Sequence, residues 1–444
     1  MARGLVIAAP SSGSGKTLAT LSLLSLLKAK GVAVAGCKAG PDYIDPEFHA
    51  AATGKPCFNL DIWGMRDASL GALLARQASR ADLIVVEGAM GLFDGIPGVD
   101  AHRNGSCAEL ARRLDLPILL IVNAKGQGAT AGAILEGLVR HDPKLKFAGV
   151  IFNQVGSAVH REILGAAARK AGIAVLGYLP RVEALKVPER HLGLVQAREH
   201  KSLERFLATA RTNLAGAFDL DGILAAAGEI SVPSRPLLPL LPPLGQRIAI
   251  ADDAAFAFAY PFHLEAWAEA GAEILPFSPL ADEAPRADAD AVYLPGGYPE
   301  LHAGKLAANT QFMAGLRDAA AGGALVYGEC GGYMTLGAGI ADAAGTRHRM
   351  AGLLPVETSF AQRKLHLGYR QAKLLADAPF GARDAVFRGH EFHYATILDE
   401  GDAPALFAAG DARGRDLGKV GRRQGNVMGS FMHLIDRAAM VSGG

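Results

Sequence analysis

The sequence predicts an α/β protein of two domains, with a doubly wound, mostly parallel sheet over residues 1–230, a linker over 231–245 and a second α/β domain over 246–444. Three observations predict it. Down the first half, apolar runs of strand length alternate with helical stretches, the pattern of parallel strands joined by crossover helices. Ser231 to Gly245 then carries five prolines, which stiffen and extend the chain. Beyond it, a new apolar strand at Arg247–Ala251 opens a second series of strands whose ends run into glycine-rich turns.

Composition bounds the rest. A chain of 444 residues with 50% hydrophobic and 20% charged residues suits a large packed core and argues against disorder. A net charge of +1 gives no field favouring nucleic acid or an anionic membrane. Nothing resembles a secretory signal, the first apolar run being too short, and with no stretch of eighteen apolar residues no membrane span is expected. Cys37, Cys57, Cys107 and Cys330 are dispersed, with no C-x-x-C pair. That spacing predicts a reducing, cytoplasmic setting without disulfides or structural zinc.

Leu5–Ala9 reads as a buried strand, followed by Pro10-Ser11-Ser12-Gly13-Ser14-Gly15-Lys16-Thr17 and a Leu- and Ala-rich helix to about Lys30. A strand, a glycine turn and a helix N-terminus make an anion site. Backbone N–H groups of Ser12, Gly13, Ser14 and Gly15 line the loop, Lys16 adds charge, and Thr17 offers the hydroxyl that meets Mg²⁺ in nucleoside triphosphate sites. The usual first glycine of the motif is Pro10 here.

Val32–Lys38 is the second strand. Pro41 and Pro46 then stop regular structure, which places Asp42, Tyr43 and Asp45 on a loop past a strand end, where open α/β sheets bind ligands. The plainer alternative is a solvated turn. Asp82–Val86 is the third strand and runs into Glu87, a carboxylate in the position that holds metal beside a phosphate loop. Its alternative role is an ion pair with a lysine. Gly88, Gly91 and Gly95 around Asp94 predict a tightly closing loop. Strands at Ile118–Val122, Phe147–Phe152 and Val175–Leu179 alternate with helices at Ala129–Arg140 and Arg161–Ala171. Asn153, just past a strand end, either reads a nucleotide base or is an ordinary turn asparagine.

In the second half Ala291–Leu294 runs into Pro295-Gly296-Gly297-Tyr298-Pro299-Glu300, and Ala324–Tyr327 into Gly328-Glu329-Cys330-Gly331-Gly332. The latter is the thiol counterpart of a nucleophile elbow: a sharp strand-to-helix turn exposes one side chain, and glycines two residues either side admit close backbone packing. A helix N-terminus beyond it is expected to lower the thiol pKa. The base is expected among His390, His393 and His433. Arg363, Lys364, His366 and Arg370 form either a solvated basic face or a contact for an acidic substrate.

Taken in order, the motifs at Pro10–Thr17, Gly40–Pro46, Glu87–Gly95, Leu294–Glu300, Gly328–Met334 and Gly389–Tyr394 resemble the cobyrinic and hydrogenobyrinic acid a,c-diamide synthase family of cobalamin biosynthesis. The likeness covers essentially the whole chain. It implies a dethiobiotin synthetase-like P-loop domain followed by a class I glutamine amidotransferase-like domain. It further implies ATP, Mg²⁺, glutamine and a corrin-type macrocycle with free carboxylates, and no nucleic acid or membrane partner; a homodimer is one assembly the chain could form. By the resemblance, Cys330 attacks the glutamine amide, His433 is its base, and the Gly297 and Gly331 N–H groups form the oxyanion hole. Ser12–Thr17 with Asn153 bind ATP, and Thr17, Asp42 and Glu87 hold Mg²⁺, with Asp45 as an alternative to Asp42. Tyr43, Asp45 and Asp94 place the substrate. Ile435 stands where most class I amidotransferases carry a glutamate two residues after the histidine, so a weakly oriented base and slow glutaminase turnover are expected. The alternatives are cobyric acid synthase, nickel-sirohydrochlorin a,c-diamide synthase, a cysteine peptidase-like hydrolase and a non-enzymatic regulatory P-loop ATPase. Ser11, in place of the extra lysine of switch ATPases, argues against the last.

Overall fold

Leu5, Val6 and Ile7 are fully buried in β1 (Arg3–Ala8). Burying each contributes about 1.5–3 kcal/mol, which is why so short a run can serve as a central strand. The computed structural model describes residues 2–185, 189–190, 193–194, 196–199, 203–231 and 239–438. Of the expected linker, 232–238 lie outside the described residues. The chain divides into two compact units.

The first unit comprises Met1–Trp63 and Leu70–Pro236. Besides β1 its sheet holds β2 (Val34–Ala39), β3 (Phe58–Leu60), β4 (Leu83–Glu87), β5 (Ile118–Asn123), β6 (Phe147–Val155) and β7 (Val175–Pro180). Their order is β3-β2-β4-β1-β5-β6-β7, and every neighbouring pair is parallel. A two-residue antiparallel strand, Gly228–Glu229, pairs with the start of β1. Register matters more than strand count here: Glu87 lies beside Lys38 of β2 on one flank and Ile7 of β1 on the other.

Two sequence expectations need correcting. A helix, α2 (Ile44–Thr53), begins ahead of Pro46, because proline is tolerated in a first helical turn. Asp45 therefore sits on that turn, not on a loop. β6 continues past Phe152, since Asn153 pairs with Asn123 of β5, so Asn153 lies inside a strand.

The second unit comprises Gly64–Ser69 and Leu237–Gly444. One sheet runs Glu273–Phe277, Arg247–Ala251, Ala291–Leu294, Leu325–Glu329, Val427–Ser430, Arg422–Gln424. All its pairs are parallel except the last. After Phe431 the chain enters a second, antiparallel sheet through Met432–Arg437, which pairs with Val386–His393. Residues on either side of Phe431 thus belong to different sheets. The short piece Gly64–Ser69 is anchored on Asp436, which is fully buried. Asp436 accepts from the Arg66 backbone N–H at 2.9 Å and the Ser69 hydroxyl at 2.7 Å, and pairs with the Arg66 guanidinium at 2.7 Å.

Candidate active sites

The first candidate site begins where β1 meets α1 (Lys16–Ala29). Gly13 and Gly15 adopt φ of 74° and 93°, a conformation costly for other residues. A Cβ on Gly15 would also lie 2.1 Å from Asn153 Nδ2. Asn153 Nδ2 donates to the Ser14 carbonyl at 3.0 Å, and its Oδ1 accepts from the Gln154 N–H at 2.9 Å. Its amide braces the loop from below. Ser12 and Gly13 are exposed at the loop tip, and the Ser14 hydroxyl donates to the Ser11 carbonyl at 2.9 Å. Lys16 Nζ donates to the Met90 carbonyl at 2.5 Å, which ties the phosphate loop to the loop after β4. Burial, foremost, and nearby Lys38 hold the Lys16 ammonium below the usual lysine range.

Beside it lies a carboxylate cluster. The Thr17 hydroxyl donates to Glu87 Oε1 at 2.8 Å, and Asp45 Oδ2 is 3.4 Å away. Lys38 Nζ reaches Asp45 at 2.5 Å, Glu87 at 2.9 Å and Asp42 at 3.8 Å. His49 Nε2 meets Glu87 Oε2 at 2.7 Å. Burial disfavours the charge on Glu87, but Lys38 and the hydrogen bond from His49 outweigh it and hold the carboxyl far below its ordinary range. Burial works against Lys38 too, and its carboxylate partners again prevail, raising it well above the usual value. Asp45 goes the other way, pushed up by burial and by Asp42 and Glu87. Thr17, Asp42, Asp45 and Glu87 offer hard oxygen donors of the kind Mg²⁺ takes. The carboxylates Asp42, Asp45 and Glu87 outnumber the lysines beside them, Lys38 and Lys16, so the donor set fits.

Tyr43 sits at the N-cap of α2 between these acids. Asp94 is exposed, and its Oδ2 accepts from the Gly91 N–H at 2.8 Å, closing the loop after β4. A Cβ on Gly91 would lie 2.8 Å from the Pro10 carbonyl, the close approach that the glycine spacing predicted.

The second candidate site is the turn at Cys330, whose φ of 47° and ψ of −102° are strained for a residue with a side chain. Glycine packing makes the turn possible. A Cβ on Gly332 would fall 1.9 Å from the Leu294 carbonyl, and one on Gly328 would fall 2.8 Å from the Tyr333 nitrogen. The Gly297 nitrogen lies 3.1 Å from where a Gly331 Cβ would be, and the Gly331 N–H faces the Cys330 sulfur. These are the two expected oxyanion donors, brought to one place. The expected lowering of the thiol pKa is overturned. Burial pushes it up strongly and Glu300 adds to this, outweighing the hydrogen bond from the Gly331 N–H.

Of the three histidines, His390 has Nδ1 3.3 Å from the Tyr260 hydroxyl. His393 contacts the Ala395 carbonyl at 3.1 Å and Glu391 at 2.9 Å. His433 stacks on His390, with ring centroids 4.9 Å apart, and its Cε1 packs against Gly296, where a Cβ would sit 2.3 Å away. Burial, His390 and His393 hold His433 well below its ordinary pKa. Arg370, of the basic run, is paired with Glu391 at 2.7 Å.

A family model described as CobQ/CobB/MinD/ParA nucleotide binding domain matches residues 5–195, and one described as CobB/CobQ-like glutamine amidotransferase domain matches 247–439. Hydrogenobyrinate a,c-diamide synthase from Sinorhizobium sp is 52% identical over 98% of this chain and 99% of its own. The enzymes of that name from Brucella anthropi (52%, covering 98% of each chain) and Mesorhizobium japonicum (49%, covering 99% of each) are similar to the same extent. The chain belongs to the hydrogenobyrinate a,c-diamide synthase family. It is a glutamine-dependent amidating ligase with a nucleotide-binding half, so the family, fold class and enzyme class read from the motifs all hold.

Against this family background, three residues stand out that carried no expectation. Lys38 is the hub of the carboxylate cluster, and a lysine inside an otherwise apolar strand was its visible signal. His49, on α2, reaches Glu87 only because α2 packs along β2, for which the sequence has no local sign. Glu329 precedes the cysteine and is fully inside the second unit. Among the described residues, no helix is long and apolar enough to cross a membrane.

Proposed function

We propose that this chain amidates the a and c acetate carboxylates of metal-free hydrogenobyrinic acid, using ATP and glutamine. The observation that carries the reading is the presence on one chain of a braced phosphate loop beside an acid cluster and a glycine-packed cysteine elbow, within a family whose members bear that name.

A carboxylate does not accept ammonia, because oxide is a poor leaving group. Lys16 and the Ser12–Gly15 N–H groups bind the triphosphate, with Asn153 holding the loop in shape. The substrate carboxylate attacks the γ-phosphorus and ADP leaves, giving an acyl phosphate. Thr17, Glu87 and Asp42 or Asp45 would hold Mg²⁺, which neutralises phosphate charge when bound. Tyr43, Asp45 and Asp94 place the macrocycle. In the other half, the Cys330 sulfur attacks the glutamine carboxamide carbon, and the thiol proton passes through His433 to the departing ammonia. The Gly297 and Gly331 N–H groups receive the oxyanion. Water releases glutamate from the thioester, and ammonia displaces phosphate from the acyl phosphate. His433 is favoured as base on the family resemblance, and its Cε1 packs against Gly296, next to the expected oxyanion donor Gly297. Four free cysteines accord with a cytoplasmic setting.

The test is turnover with ATP and glutamine on metal-free, cobalt and nickel macrocycles, with mass spectrometry counting the amides formed. Two amides on the metal-free compound are expected. No amide on it, with amides on another macrocycle, would overturn the substrate assignment. Lys16→Ala should lose amidation from glutamine and from ammonia alike, by about 10³-fold.

A further inference from the structure

Glu329 is the last residue of the strand Leu325–Glu329 and directly precedes Cys330. It is 3% exposed, and His433 is 1% exposed. Its Oε2 lies 3.8 Å from His433 Nδ1. Its remaining contacts are donors. The Tyr293 hydroxyl reaches Oε2 at 2.9 Å, the Tyr327 hydroxyl reaches Oε1 at 3.1 Å, and the backbone N–H of Leu434, next to His433, reaches Oε1 at 3.1 Å. One carboxylate therefore touches both the side chain of His433 and the backbone beside it. Stacking on His390 and packing on Gly296 fix the ring's remaining freedom. The two nitrogens of an imidazole point to opposite sides, so with Nδ1 turned to Glu329 the nitrogen that would exchange a proton with a thiol is Nε2. A base of this kind works best when a third group holds its tautomer and supports its charged form.

We propose that Glu329 is the positioning residue of the glutaminase half, accepting from His433 Nδ1–H so that the basic Nε2 faces the Cys330 thiol. This rests on the reading of Cys330 and His433 as nucleophile and base. The thiol proton moves to Nε2 as sulfur bonds to the amide carbon, and leaves with ammonia as the C–N bond breaks. Burial pushes the Glu329 carboxyl up to about 7 against the pull of its three donors; in its ionised form it gains no proton and supports the transient imidazolium. The 3.8 Å separation exceeds a hydrogen bond, and closes to one when glutamine is bound. The carboxylate absent at Ile435 is thus supplied from a different strand, one residue from the nucleophile.

The test uses the full-length chain with Glu329→Gln, Glu329→Asp and Cys330→Ser, each assayed for glutamine-dependent and ammonia-dependent amidation. Gln keeps the shape and removes the charge, whereas Asp keeps the charge and loses a methylene. With Glu329→Gln, kcat on glutamine should fall by about 10²- to 10⁴-fold, with little change in glutamine KM and with ammonia-dependent amidation intact. Glu329→Asp should retain more kcat than Glu329→Gln. A role in packing alone predicts the reverse order, and Gln equal to or better than Asp overturns the proposal. If Cys330→Ser keeps its glutamine-dependent rate, the nucleophile reading itself falls and the role of Glu329 goes with it.

Discussion

The acid cluster around Glu87 and the elbow around Cys330 are both buried at the ends of parallel strands, and they solve burial in opposite ways. At Glu87 charge is kept: Lys38 and His49 meet the carboxylate directly, and the group stays ionised in the interior. At the elbow burial works against charge, pushing the Cys330 thiol up and the His433 imidazole down. The difference follows from the two chemistries. A phosphoryl-transfer site needs fixed charges before its substrate arrives. A thiol is best left protonated until a glutamine is present to attack, because a standing thiolate oxidises. The upward push on the Cys330 thiol accords with the slow glutaminase turnover expected from the sequence.

Variants can break or sharpen the contrast. The largest expected effect is at the elbow itself. Cys330→Ser should cut glutamine-dependent amidation by about 10⁴-fold or more and leave ammonia-dependent amidation at the unmodified rate, as measured by amide formation with each nitrogen source. Next is the hub of the charged cluster. Lys38→Met strands Asp45 and Glu87 in the interior and should cost roughly 3–5 kcal/mol of stability, read from the urea midpoint of the first unit's transition. The elbow region has an ionised carboxylate of its own, and acid is the way to test it. Glu391 is pushed down to about 2, because the hydrogen bond from His393 and the charge of Arg370 outweigh the opposing effect of burial. A carboxyl lowered by folding stabilises above its ordinary value of 4.5 and gives that up as pH falls toward 2. Roughly 3 kcal/mol should be lost over that window, and Glu391→Gln should flatten this part of the urea-midpoint against pH curve. The smallest effect is at the edge of the acid cluster. Asp45→Asn should slow ADP release by about 10- to 100-fold while glutaminase activity stays level, and equal loss of both would mean misfolding.

What could be read from the sequence was what is encoded within a few consecutive residues. The strand–glycine–Lys16-Thr17 turn and the G-x-C-x-G elbow carry their geometry locally, and both appear where their glycines require them. The α/β layering followed from alternating apolar runs. What escaped was set by register between distant segments. Lys38 meets Glu87 because β2 pairs with β4. Glu329 meets His433 because two strands far apart in sequence converge on the chain around Phe431. Proline misled at Pro46, where a helix starts instead of stopping. The thiol expectation failed because burial, which the local motif does not reveal, dominates the surroundings of Cys330.

Asp436 has a practical consequence for modularity. Its partners, Arg66 and Ser69, are encoded within the stretch that otherwise builds the nucleotide-binding half. A C-terminal fragment beginning after the proline-rich stretch would carry the entire cysteine elbow yet expose an orphaned interior anion only three residues from His433. The amidotransferase half is therefore not a detachable cassette: transplanting it intact requires six residues, Gly64–Ser69, that no cut at a single point in the chain can bring along.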